Sequence, residues 1–222
     1  MTRFTRRSVL SATTVALGAL AGCAGGGSES AETETAGTET ATPAPGQPLS
    51  TPVAGDPEAD VTVAVYEDYA CPHCATYSES VYPKVQEDYL DDGAIRYEFH
   101  DFPIPVNEEV SWQAASAARA VQDNVGAEAF FTYSERLFAN QNQLGPDTYA
   151  ELTEGLDVDG ETVRAAATGE LYRPTVSGDR DAGTDRGVRG TPTVFVNDEQ
   201  VEWSEVAYEP VQSAIEAARS DG

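Results

Sequence analysis

The sequence predicts an α/β fold: a strand, a helix and a second strand, then a block of helices, then a β-hairpin and a closing helix. Three observations predict it. The β-branched run Val61-Thr62-Val63-Ala64-Val65-Tyr66, preceded by Gly55, Asp56 and Pro57, has the composition of a strand. Tyr77, Val81, Val85 and Tyr89 recur at every fourth position and mark one face of a helix. From about residue 107 to 188 the pattern is helical, and strand character returns at Thr193-Val194-Phe195-Val196.

The chain opens with Arg3, Arg6 and Arg7, followed by an uncharged stretch from Ser8 that ends in Leu20-Ala21-Gly22-Cys23. A basic start, a short apolar run and small residues at its end are the marks of an export signal, here residues 1–22. The run is too short for a comfortable transmembrane span. Thr5-Arg6-Arg7-Ser8-Val9-Leu10 resembles a twin-arginine signal, and the Leu-Ala-Gly-Cys tetrad resembles a lipobox, in which cleavage leaves Cys23 as a lipid-carrying amino terminus. The competing reading is a plain cleavage site near Ala21 to Ala24 with Cys23 incidental. Residues 23–54 are Gly, Ser, Thr, Ala, Glu and Pro with almost no large apolar side chain, so they offset little of their ordering entropy and read as a flexible tether.

The folded domain is expected over residues 55–222. After the first strand a helix runs from about Ala75 to Leu90, with Pro83 as a source of a kink. The Asp91-Asp92-Gly93 turn leads to a second strand, Ala94 to Phe99. The helical insertion, about 104–188, divides at its stop signals into Glu108 to Asp123, Ala127 to Asn140, Asp147 to Leu156, Gly160 to Ala167 and Arg173 to Asp185. A turn at Asn197-Asp198 joins the third strand to Gln200-Val201-Glu202-Trp203, and the last helix spans about Tyr208 to Arg219.

Charge narrows the partners. The chain carries 38 acidic residues against 13 basic ones, and Lys84 is its only lysine, which argues against nucleic acid as a partner. Of the acids, 34 lie beyond residue 50, so they belong to the domain and not to the tether. Like charge at this density repels itself in dilute salt, whereas near molar salt the screening length falls to about 3 Å. We read the composition as that of an extreme halophile. An ordinary acidic surface is the simpler reading, but it does not explain why lysine is nearly missing.

Of three cysteines, Cys71 and Cys74 form Cys71-Pro72-His73-Cys74 between the end of a strand and the start of a helix. A structural disulfide is a weak explanation, since so short a loop gains only roughly 2 kcal/mol in the chain-entropy account. Zinc normally takes four protein ligands, and the domain's soft or imidazole donors are Cys71, Cys74, His73 and His100, of which His73 cannot easily join both neighbouring cysteines on one ion. At a helix start, unpaired amides and the helix dipole favour a thiolate over a thiol, so Cys71 has the position of a nucleophile and Cys74, one turn on, that of the resolving thiol. A charged or hydrogen-bonding His73 would favour the Cys71 thiolate further.

Cys-Pro-His-Cys after a strand, the long helical insertion, and Gly190-Thr191-Pro192-Thr193-Val194-Phe195-Val196-Asn197 together resemble the DsbA-like thioredoxin family over roughly residues 55 to 220. Asp101-Phe102-Pro103 adds a less specific match. The resemblance implies a thioredoxin-like fold and a protein-disulfide oxidoreductase that needs no cofactor beyond a redox-active Cys71–Cys74 disulfide. It implies that Pro192 is cis and faces the cysteines, and that the backbone of Thr191 pairs with a bound substrate strand. One departure stands out: the family's buried carboxylate six residues before the first cysteine is replaced by Val65. Glu67 lies on the same strand face and is the candidate proton acceptor for Cys74, with a solvated position at the strand end as the alternative. His100 and Trp112 are read as core or surface residues.

The expected activity is dithiol oxidation of thiol-containing exported proteins on the outer face of the membrane, with a membrane or extracellular redox partner and a lipid anchor. A reductase would share the chemistry, and a Cu(I)-binding metallochaperone using the same two thiolates is the alternative of a different class.

Overall fold

The structure is a computed structural model that describes residues 48–220. The export signal, Cys23 and residues 23–47 of the tether lie outside the described residues. A five-stranded sheet of order β1-β3-β2-β4-β5 organises the chain, with β1 Val53–Gly55, β2 Thr62–Glu67, β3 Arg96–Asp101, β4 Thr193–Val196 and β5 Glu199–Gln200. β2 and β3 are parallel, as a strand–helix–strand unit requires, and the other pairs are antiparallel.

Side chains of β2 alternate between two cores. Val63 and Val65 face the large core built with α1 and the insertion, whereas Ala64 and Tyr66 face a smaller one with Phe102, Val188 and Phe195. Both faces of the sheet are therefore covered, which explains why the β2 run is apolar throughout and does not alternate with polar residues.

The segment read as one helix from Ala75 to Leu90 is three. α1, Pro72–Ser80, begins earlier than expected because Pro72 at its first position lacks the N–H that a helix start leaves unpaired. α2 spans Tyr82–Val85, and a π-helical turn covers Gln86–Leu90. Pro83 cannot donate to the preceding turn, so the helix breaks at Val81. Insertion helices follow: α3 Glu108–Val125, α4 Ala127–Ala139, a 3-10 turn Gln141–Gln143, α5 Pro146–Glu151, α6 Gly160–Thr168 and α7 Arg173–Arg186, with α8 Tyr208–Ser220 closing the fold. Asn107 and Asp159 cap α3 and α6 by accepting from Val110 N and Thr162 N.

Three expectations need correction. The tether does not extend to residue 54: Val53–Gly55 pairs with Arg96–Glu98, Leu49 N–H donates to Thr175 Oγ1 at 3.1 Å, and Gln122 Nε2 donates to Ser50 O at 2.8 Å. A three-residue edge strand has too little periodicity to be seen before its partner is known. The strand expected at Gln200 to Trp203 shortens to Glu199–Gln200, and the helix expected to reach Leu156 ends at Glu151.

The insertion is anchored to the sheet by charge. Arg119 of α3, fully buried, donates to Asp101 of β3 at 2.6 Å and to Asp179 of α7 at 2.6 Å. His100 stacks on Tyr66 beside this cluster, and Trp112 is buried beneath the Arg173 guanidinium at 4.0 Å, so both are structural, as read from the sequence. α7 closes on the small core through Gly183, where a Cβ atom would lie 2.8 Å from carbons of both Phe102 and Tyr66. Two aromatic rings cannot both yield, so Gly183→Ala is expected to cost about 1–3 kcal/mol, measured as a lowered denaturation midpoint with thiol exchange retained in the folded fraction.

Candidate active site

β2 ends at Glu67, and the three residues Asp68-Tyr69-Ala70 turn the chain into α1. Asp68 makes that turn. Its carboxylate accepts from Ala70 N at 2.8 Å, Ile104 N at 2.8 Å and Ser111 Oγ at 2.9 Å, and its carbonyl accepts from Cys71 N at 3.0 Å. Cys71 is thereby set at the N-cap of α1 with extended backbone, φ −82° and ψ 120°. Its Sγ faces the loop before β4, donating to the Thr191 carbonyl at 3.3 Å across a cis Thr191–Pro192 peptide. Cys74, fully buried one turn on, accepts from Asp68 N at 3.5 Å. Both cysteines are free thiols here.

Electrostatics separates the pair. The Cys71 thiol is lowered from its usual value to about 5, chiefly because Cys74 hydrogen-bonds to its thiolate; burial opposes this, and the Thr191 side chain and the backbone amides of Cys74 and His73 add to it. The Thr191 hydroxyl oxygen is buried and makes no hydrogen bond to the protein. Cys74 is pushed well above the usual range, first by burial and then by its hydrogen bond to Cys71 and the Glu67 charge. One thiol ionises readily and its neighbour resists.

Glu67 is 3% exposed, so the buried one of its two expected positions is correct. Burial raises its carboxyl well above the usual range, the Cys71 charge raises it further, and a hydrogen bond with Cys74 opposes both. Val65 lies in the apolar core two residues earlier on the same face, so the carboxylate reaches the resolving cysteine from a shifted position on the strand. Pro72 and His73 are exposed, and the part of His73 that lowers the Cys71 thiol is its backbone amide. Asp68 had no sequence signal of its own, because Ile104 and Ser111 lie 36 and 43 residues away.

Residues 48–217 match the family model described as Thioredoxin. The chain is 29% identical over 178 residues to Disulfide bond formation protein D of Bacillus subtilis, covering 74% of this chain and 75% of that one. The oxidised BdbD structure from Bacillus subtilis superposes with a TM-score of 0.70 at 26% identity, covering 77% of this chain and 93% of that one. A further relative, the Na(+)/H(+) antiporter NhaA 3 of Salinispora tropica, is 32% identical over 145 residues, 65% of this chain but only 21% of the antiporter. The chain belongs to the thioredoxin family. Within it the chain is a DsbA-like thiol-disulfide oxidoreductase, and the copper-binding alternative finds no support.

Because thiolate and not thiol is alkylated, iodoacetamide applied to the reduced protein near pH 6 is expected to label Cys71 and spare Cys74. Labelling of Cys71 should fall off as pH drops through about 5. Peptide mapping across pH 4 to 8 checks both points.

Proposed function

We propose that the chain is a dithiol oxidase of exported proteins, acting through a Cys71–Cys74 disulfide. A substrate thiolate attacks the Cys71 sulfur; the mixed disulfide forms, the Cys71–Cys74 bond breaks, and Cys74 leaves as a thiolate that takes a proton from Glu67. The substrate's second thiolate then attacks the first substrate sulfur, the one bonded to Cys71, forming the substrate disulfide and releasing Cys71 as a thiolate. The two electrons now rest on the cysteine pair. A disulfide-bearing redox partner takes them: Cys71 attacks it, Glu67 removes the Cys74 proton, and Cys74 displaces the reduced partner.

The observation that carries the direction is the depressed Cys71 thiol. Stabilising the thiolate stabilises the reduced form, and a disulfide whose reduced form is stable is a stronger oxidant. His73 contributes through its amide, to which a protonated imidazole would add charge, and Pro72 through the helix start. Thr191 and Pro192 form the ledge beside Cys71 on which an extended substrate segment would lie, its backbone pairing with that of Thr191.

The sequence before residue 48 supports the setting. The twin-arginine-like start, the lipobox and the tether fit a domain held by lipid on Cys23 at the outer face of the membrane, where exported proteins and a membrane or extracellular partner meet it. The acidic excess fits a saline environment.

Equilibration with a glutathione buffer in high salt is expected to give a potential well above about −270 mV, where thioredoxin lies; a value at or below it makes the chain a reductase. Cys74→Ser should trap mixed disulfides with substrate, whereas Cys71→Ser should abolish exchange, as seen on non-reducing gels. Melting temperature should climb steeply between about 0.1 and 3 M potassium chloride, and a flat response would remove the halophile reading.

A further inference from the structure

We propose that Gln141 is a positioning residue of the redox centre, a clamp by which the helical insertion holds the loop in front of Cys71. Gln141 opens the 3-10 turn after α4, and its Nε2 donates to two carbonyls, Tyr69 O at 2.9 Å and Cys71 O at 2.9 Å. These carbonyls flank the nucleophile, although Gln141 is 72 and 70 residues away in sequence.

The peptide unit between Tyr69 and Ala70 is thus held at both ends. Its N–H is taken by the Asp68 carboxylate at 2.8 Å and its C=O by Gln141. The Tyr69 ring is fixed to the same part of the insertion, since its hydroxyl lies 2.7 Å from Ser134 Oγ of α4 and its ring packs on Phe138. The Cys71 carbonyl is also the first acceptor of α1, taking Cys74 N at 3.1 Å and Ala75 N at 3.2 Å. An amide bridging both carbonyls draws their partial negative charge away from the sulfur. It also fixes the turn of α1 whose His73 and Cys74 amides point at the thiolate. A loop released at this point would reorient toward solvent, and the thiolate would lose donors that only a fixed backbone supplies.

The inference rests on the oxidoreductase reading and is tested in the full-length chain, reduced, in high salt. For Gln141→Ala, the midpoint of Cys71 ionisation, followed by thiolate absorbance, is expected to rise by roughly half to one unit. The glutathione equilibrium should move several-fold toward the protein disulfide. Gln141→Glu keeps the length but sets acceptors against the two carbonyls, so its shifts should be larger and in the same direction. Asn142→Ala, an exposed neighbour, is the control and should match the unsubstituted chain. Should Gln141→Ala not fold, Gln141→Met carries the same test with the side-chain length kept. Lower melting temperatures in the Gln141 variants, with ionisation midpoint and glutathione equilibrium unchanged, would reduce the contact to scaffolding and overturn the proposal. Absence of thiol exchange in the unsubstituted chain would instead overturn the oxidase reading.

Discussion

A thiolate held by hydrogen-bond donors at the first turn of α1 is the state on which the surrounding architecture depends. The donors are ordinary groups: a neighbouring thiol, a threonine side chain and two backbone amides. None is strong alone, so the stabilisation comes from convergence, and convergence demands a backbone that does not drift. The parts that hold the backbone come from across the chain. Asp68 ties the loop to the β3–α3 connection and the start of α3, and Thr191 comes from the loop before β4, the strand on the other side of β2.

The same pair shows how one environment yields opposite acidities. Cys71 sits at the N-cap of α1, 3% exposed and facing Thr191, and Cys74 lies one turn on beside Glu67 and the Asp68 amide. Burial penalises ionisation of Cys74 and of Glu67 alike, and a charged Glu67 makes the Cys74 thiolate more costly still, whereas the Cys74 hydrogen bond partly relieves the Glu67 carboxylate. A single proton shared between them avoids two buried charges, and in the proposed exchange cycle it is this proton that comes and goes.

Much of this was legible in the sequence because it is local. The β-branched run, the four-residue spacing of Tyr77 to Tyr89, and the stop signals between helices are nearest-neighbour information, and they located β2, β4 and the insertion to within a few residues. Strand alternation alone put Glu67 on the face of Val65. What escaped is what distant partners decide. β1 exists because β3 offers an edge, Asp68 matters because Ile104 and Ser111 arrive beside it, and the break at Val81 required knowing which turn Pro83 would disrupt. Scarce cations are likewise placed by tertiary structure: Arg119 is buried between two aspartates, and Arg136 donates to the carbonyls of Leu152 and Glu154, so neither is free to offset the acidic surface.

The position of β1 has a consequence for how the domain can be approached. The chain enters the fold at one margin of the sheet, whereas the loop carrying Thr191 and Pro192 leads into β4, three strand positions away and on the far side of β2. With strands about 4.8 Å apart, the entry point and the ledge beside Cys71 are separated by about 14 Å across the sheet. In the proposed anchored state, tension on residue 48 would load the contacts of Leu49 and Ser50 and the β1–β3 pairing, and would leave the β4 side of the sheet, where Thr191 and Pro192 lie beside Cys71, unloaded.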